Sequence, residues 1–457
     1  MNLKLPHLLV LGCIALIPVT LISKPPNIVI LLTDDQGYAD LSLSPHSRPE
    51  VKTPRMDQLL LDGARFTKAH TNGATCAPTR AAIMTGNYQQ RHGIYHTPDT
   101  RNGLDAEAKL MPEYFKDAGY ATACIGKWHL GLTPEFNPVN RGFDYFYGFL
   151  GHGGHDYFDL GPVGSRDEEF NGMKRNLEPI NDEGYLTTRI GDESVAWIEQ
   201  NKESPFFLYV CFNAVHSPAQ APAEDIAKYN TGSEKRDKLA AMLDHLDLNI
   251  GRIVDTLKAN GLYENTLIYL LTDNGGAAGM EADNTPLRGA KGSIWEGGHR
   301  TFFGVTWKDR IKPGTVVDTS VMSFDILPTA LAAAKLPIPT DRIKDGKNLL
   351  PLIEGKTETH HDFLVWYNGR GPFAIYKDGW KLTRDKPNRK SKTPVDSLFY
   401  LPDDESEEND LIASNPEKAT ELLDLFTAWK GEMKPFNAQQ AKFADFNNPS
   451  AGKKQKK

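Results

Sequence analysis

Cysteine is scarce, with four in 457 residues, at positions 13, 76, 124 and 211. So few exclude a disulfide scaffold, which spends a much larger share of its residues on cross-links. Excess positive charge is also missing: 52 Lys and Arg against 59 Asp and Glu give a formal net charge of −7. That argues against a nucleic-acid partner and against global steering of an anionic polymer. Any anionic substrate must therefore be held by local basic residues. Past the N-terminal region no apolar run is long enough to cross a bilayer, so stable membrane insertion is not expected. No internal repeat is visible either.

What remains is a long chain of ordinary globular composition, 40% hydrophobic. Its length exceeds what one core usually serves, so one large and one smaller domain are expected. At the N-terminus, Lys4 precedes an apolar run from Leu8 to Ile22 broken by Pro18, and Ser23-Lys24-Pro25-Pro26 follows. That order predicts an export signal over residues 1–23 and a periplasmic, secreted or lumenal location. Cys124 and Cys211 sit in the strand-like runs YATACIG and FFLYVCFNAV, where a buried free thiol is the default.

Asn27 to Thr33 (NIVILLT) and Thr266 to Thr272 (TLIYLLT) are near-continuous apolar runs rich in β-branched residues. Both fit parallel strands buried on two faces. The first ends in Asp34-Asp35 and the second in Asp273-Asn274. Open parallel sheets place their sites at the carboxyl ends of strands, so these four residues can meet around one hard cation. On local grounds alone a solvated turn is the better explanation of Asp34-Asp35. ARFTKAH and Phe206 to Asn213 add further strands. Helices are expected from Pro54 to Gly63, from Met111 to Gly119, over 233–260, and in the alanine-rich stretch from Phe324 to Leu336. In the longest helix, His245 and its flanking aspartates are placed on the solvated or rim face. PIPTDRIKDGKN reads as a linker, followed by three strand-like runs, an acidic turn (Asp403 to Glu408) and a helix from Pro416. That order suggests a small antiparallel sheet with one covering helix.

Thr71 to Gly93 is the most informative stretch. Cys76 stands two residues before Pro78 and four before Arg80, ahead of Ala81-Ala82-Ile83-Met84, and this looks like the mouth of a helix. Free backbone N–H groups there, with Arg80 beside them, suit an oxyanion. Cys76 itself reads as a buried small hydrophobe or as an activated thiolate. Lys127 and His129, two residues apart after YATACIG, point to one side if the strand continues. Gly151-His152-Gly153-Gly154-His155-Asp156-Tyr157 is either a loop offering His152, His155 and Asp156 to sugar hydroxyls or a turn with incidental polar residues. His216, released after a strand, is by itself more often structural than catalytic. Lys291 lies in the Gly-rich loop from Leu287 to Arg300, with Arg288 near its start.

Taken together, these segments resemble the type I, formylglycine-dependent sulfatases of the alkaline-phosphatase-like superfamily. Cys76-Ala77-Pro78-Thr79-Arg80 with Thr85-Gly86 is similar to the family's C-x-P-x-R signature, with Thr79 where Ser is common. GYATACIGKWHLG resembles the second signature, and the Lys291 loop ends in a similar E-G-G-x-R. The resemblance implies an α/β fold with a mostly parallel sheet sandwiched by helices, plus a small C-terminal antiparallel sheet. The corresponding division is a catalytic domain over 24–340, a C-terminal subdomain over 341–445 and a disordered basic tail over 446–457. It implies Cys76 oxidised to formylglycine by a formylglycine-generating or anaerobic sulfatase-maturing enzyme. Asp34, Asp35, Cys76, Asp273 and Asn274 would hold Ca²⁺, ahead of Mg²⁺ or Mn²⁺. Arg80, Lys127, His129, His216 and Lys291 would complete the catalytic set, and His152, His155, Asp156 and Arg288 would contact the substrate, a sulfated glycan. Two alternatives stand beside it: a phosphonate or phosphate diester hydrolase of the same superfamily, and a non-catalytic glycan-binding protein with unconverted Cys76.

Overall fold

In the computed structural model the described residues are 24–97, 103–151, 155–162, 172–386, 391 and 393–437. The expected export signal, the basic tail and His152 lie outside them. Eleven strands form the main sheet. They are β1 (Asn27–Thr33), β2 (Ala64–His70), β3 (Ala121–Lys127), β4 (Tyr145–Phe149), β5 (Lys174–Arg175), β6 (Glu178–Pro179) and β7 (Phe206–Cys211). The rest are β8 (Thr266–Thr272), β9 (Arg300–Thr306), β10 (Thr315–Val317) and β11 (Val321–Met322). Their spatial order is β10-β2-β9-β8-β1-β7-β3-β4-β5-β6, with β11 against β2. β1 pairs in parallel with both β7 and β8, and β3 in parallel with β7 and β4. Only β9 breaks the run of long parallel strands, lying antiparallel to β2 and β8.

The apolar runs are continuous because each central strand feeds two cores. Ile28, Ile30 and Leu32 enter one, and Val29 and Leu31 the other. Successive side chains of a strand point to opposite faces, so a strand covered on both sides needs apolar residues at every position. On the first face lie α2 (Cys76–Thr85), α3 (Met111–Asp117) and α8 (Ile326–Ala333). The second face carries α1 (Pro54–Leu61), α4 (Leu186–Asn201) and α6 (Glu234–Ala259), with the short α5 (Ala223–Ile226) against α6.

A separate four-stranded antiparallel sheet follows, β12 (Leu364–Tyr367), β13 (Phe373–Lys377), β14 (Trp380–Asp385) and β15 (Val395–Tyr400), in that order. The helix Pro416–Gly431 covers it, stacking Phe426 on Phe373 with ring centroids 3.8 Å apart. The expected linker is pinned to the end of α2 and to α8. Asp345 accepts from Tyr88 N at 2.9 Å and pairs with Arg91, and Asp325 accepts from Lys347 N at 2.8 Å. Among the described residues no helix is long and apolar enough to cross a membrane.

Asp244 and His245 are half-buried at the rim as expected, but Asp247 departs from that reading. Asp247 is buried, and its carboxylate accepts from Met56 N at 2.8 Å and Arg55 N at 3.1 Å. It thereby caps α1 from another helix. Thr53, the residue just before α1, makes no cap bond, and its hydroxyl donates to Asp57 instead. A buried acceptor for two first-turn N–H groups is worth about 1.5–3 kcal/mol when charged. Asp247→Ala is therefore expected to lower unfolding stability by about that much with KM unchanged, measured by urea denaturation alongside steady-state kinetics.

Candidate active site

Strands β8, β1, β7 and β3 are neighbours in that order, and each delivers polar residues at its carboxyl end. Asp273 and Asn274 follow β8, Asp34 and Asp35 follow β1, His216 comes shortly after β7, and Lys127 ends β3. The loop leaving β2 brings Cys76 to the first position of α2. The site thus sits where the strand connections diverge, the usual position in an open parallel sheet.

The distances are short. Cys76 Sγ lies 3.4 Å from Asp34 Oδ1 and 3.9 Å from Asp35 Oδ1, with Lys291 Nζ 3.5 Å away. Lys127 Nζ is 2.5 Å from Asp34 Oδ2, and Lys291 Nζ is 2.7 Å from the Asp35 carboxylate. Arg80 donates to Asp273 Oδ2 through Nε at 3.0 Å and Nη2 at 2.8 Å, and to Lys127 O through Nη1 at 2.9 Å. His216 turns Nε2 toward Asp35 Oδ2 at 3.5 Å while Nδ1 lies 2.8 Å from Ser217 O.

Three carboxylates face three cations in a nearly dry pocket. Burial opposes ionisation of Asp34, but Lys127, His216 and Arg80 overcome it and hold the carboxyl below its ordinary range. For Asp35, His216 and Lys291 do the same against burial. Burial, with Asp273 and Asp34, pushes the Cys76 thiol up.

Asp34, Asp35, Cys76 and His216 present potential ligand atoms all within 4.8 Å of one another. Asn274 stands beside them, donating from Nδ2 to Asp35 Oδ1 at 2.8 Å, and its Oδ1 is buried with no hydrogen-bond partner. An orphan acceptor beside a carboxylate cluster is what a cation would satisfy. The residues present therefore fit a divalent ion. Adding one to a cluster whose charges already balance leaves excess positive charge for an anion.

Lys127 and His129 do not share a continuing strand. β3 ends at Lys127, and His129 adopts φ +63°, a left-handed turn that breaks the two-residue alternation. Gly126 has φ +107°, and a Cβ there would fall 1.9 Å from Cys211 O. The chain thus approaches β7 closely and then bends away.

Of the expected substrate contacts, His155 and Asp156 bond within their own loop. The His155 ring lies 4.7 Å from that of Phe149, and Nδ1 sits 2.6 Å from Asp156 O. Asp156 accepts from Phe158 N, Asp159 N and Gln220 Nε2 at 2.8–3.0 Å, an aspartate closing its own turn. Tyr157 Oη donates to Asn213 O at 2.8 Å and His216 O at 2.9 Å, so this loop props the His216 segment. Arg288 is exposed, with its guanidinium 3.7 Å over the Trp295 ring and Nη1 donating to Glu407 O at 2.7 Å.

Two features had no sequence signal. Asn213 is fully buried behind the site with neither amide atom bonded. A second buried group, Glu296, Lys381 and Glu407, joins the lysine loop to the C-terminal sheet.

A family model described as Sulfatase matches residues 26–336. The uncharacterized sulfatase YdeN of Escherichia coli K12 is 32% identical over 394 residues, covering 75% of this chain and 68% of its own. Human N-acetylgalactosamine-6-sulfatase is 33% identical over 363 residues, covering 73% and 67%. The crystal structure of Ps i-CgsB in complex with k-i-k-neocarrahexaose superposes with a TM-score of 0.83 at 30% identity, covering 95% of this chain and all (100%) of that one. The family match spans the strands, the cysteine helix and the lysine loop that build the site, and the chain belongs to the sulfatase family and is a sulfuric ester hydrolase.

Proposed function

We propose that the protein removes sulfate from a sulfated carbohydrate or polysaccharide, with Cys76 converted to formylglycine by a separate maturation enzyme. The observation that carries this reading is the convergence of Arg80, Lys127 and Lys291 on the carboxylates around Cys76. Three buried or half-buried cations in one pocket hold and balance a sulfate group. The complex of Ps i-CgsB with k-i-k-neocarrahexaose and the name of the human relative favour a sulfated glycan. We further propose that the protein is exported, with 24–340 as catalytic domain and 341–445 as C-terminal subdomain.

Asp34, Asp35, the modified Cys76, Asp273 and Asn274 would hold the divalent ion, with Ca²⁺ favoured. Conversion supports that choice, because it exchanges a soft sulfur for oxygen in a set of hard ligands. When bound, the ion lowers the pKa of the hydroxyl beside it and adds positive charge facing the sulfate.

In the first step one hydroxyl of the hydrated residue 76, already deprotonated because its pKa is lowered, would attack sulfur. The bond from sulfur to the sugar oxygen breaks, and His216 supplies the proton that the departing alcohol needs. The sulfate now rests on residue 76, its oxygens held by Arg80, Lys127 and Lys291. His129 then takes the proton of the second hydroxyl, the aldehyde re-forms, and the ester bond to sulfate breaks. An unmodified serine or thiol ester has no second hydroxyl, and water would have to release the product.

Two measurements test this. Mass spectrometry of the Cys76 peptide should find the lighter aldehyde in place of the thiol, and the converted protein should release sulfate from glycan oligosaccharides faster than phosphate from matched esters. An unconverted thiol in protein that still desulfates, or a preference for phosphate or phosphonate esters, would overturn the reading.

A further inference from the structure

We propose that Glu407, in the acidic turn after β15, is a positioning residue for the lysine loop, clamping both ends of residues 288–296 and so holding Lys291 in the pocket. The inference rests on the reading of Lys291 as a sulfate-pocket residue. Glu407 does not approach the reacting atoms. Its bonds go to the loop instead.

At the start of the loop, Arg288 Nη1 donates to Glu407 O at 2.7 Å. At its end, Glu296 N donates to Glu407 Oε2 at 2.8 Å. One residue of the C-terminal sheet region thus takes both ends, which also meet each other through Gly297 N to Arg288 O at 2.7 Å. Lys381, on β14, ties the carboxylates together, with Nζ 2.7 Å from Glu296 Oε1 and 2.8 Å from Glu407 Oε1. Glu296, Lys381 and Glu407 are each at most 1% exposed. Between the clamped ends, Lys291 N donates to Gly276 O at 3.1 Å and Gly292 N to Ala74 O at 2.7 Å. The loop is therefore sewn to the Asn274 turn and to the residues preceding Cys76, with Lys291 reaching across.

Backbone conformation points the same way. Glu407 has φ +54°, a left-handed geometry that a residue with a Cβ adopts at a cost and keeps when its surroundings fix it. In that conformation its carbonyl and its carboxylate both serve the loop. Burial also pushes the Glu407 carboxyl up, and Gln, which keeps an oxygen able to accept from Glu296 N, is the conservative variant.

The test is a double-mutant cycle on the matured protein, read as KM for a sulfate ester and as the inhibition constant of inorganic sulfate. Glu407→Ala should raise both by roughly tenfold, and Glu407→Gln should stay within about twofold of wild type. In a Lys291→Ala background, Glu407→Ala should change either constant by less than about twofold, because the group it positions is gone. A purely architectural role would lower the melting temperature and leave both constants alone. Where Glu407→Ala does not yield folded protein, Glu407→Asp, too short to reach Glu296 N, is read in the same way. Wild-type constants in these variants, or equal fold-changes in both backgrounds, overturn the inference alone. Unchanged constants in Lys291→Ala overturn it together with the role of Lys291.

Discussion

Cys76→Ala is expected to abolish sulfate release, a loss on the order of 10⁶-fold in kcat as for other nucleophile deletions, while the protein melts near the wild-type temperature. The fold should survive because Cys76 opens α2, where alanine is the best helix former, and because the sulfur has only long contacts of 3.4–3.9 Å to Asp34, Asp35 and Lys291. The cations that hold sulfate remain, so the variant should still bind inorganic sulfate. Cys76→Ser sharpens the test. Its single hydroxyl can attack sulfur but cannot re-form a carbonyl, so one equivalent of sulfate should stay covalently attached, visible as added mass on the peptide. Steady release from either variant, at a rate near wild type, would remove residue 76 from the chemistry.

The parts of the site legible in the sequence are those whose chemistry is written in adjacent residues. NIVILLT followed by Asp34-Asp35 and TLIYLLT followed by Asp273-Asn274 predict two buried parallel strands whose polar ends can meet, and β1 and β8 in fact pair along their whole length, Asn27 with Thr266 through Thr33 with Thr272. Burial on both faces forces the continuous apolar pattern, so it could be read directly. The Cys76 helix has a similarly local signature, a proline in its first turn and Gly86 at its end with φ +67°.

What could not be read depends on partners far along the chain. The left-handed backbone at His129 and the close packing of Gly126 against β7 are revealed by no local pattern. Asp247 looks like one more exposed carboxylate of a long helix until α1, nearly two hundred residues earlier in sequence, supplies two N–H donors. The loop from His155 to Tyr157 has the composition of a sugar-binding turn, yet its side chains close the turn and prop the His216 segment. Glu407 and Lys381 carry no motif at all, because their role comes from packing two sheets together around one loop. Local chemistry was legible, and long-range support was not.

His216→Ala should separate substrates by leaving group. With a sugar alkyl sulfate the departing oxygen is strongly basic and needs a proton as the bond breaks, so kcat should fall by about 10²–10⁴. With an activated aryl sulfate the leaving oxygen is a stable anion, and the loss should be within about tenfold. The geometry suits an acid: Nδ1 faces Ser217 O at 2.8 Å, leaving Nε2 turned into the pocket, and Tyr157 Oη fixes the His216 carbonyl at 2.9 Å. Yet Nε2 is also 3.5 Å from Asp35 and within reach of Asp34 and Cys76, so a competing role is to complete the group around the divalent ion. The two roles differ in what they predict. A lost ligand would depress turnover of both substrates alike and lower bound metal per protein, whereas a lost acid leaves metal content unchanged and penalises only the poor leaving group.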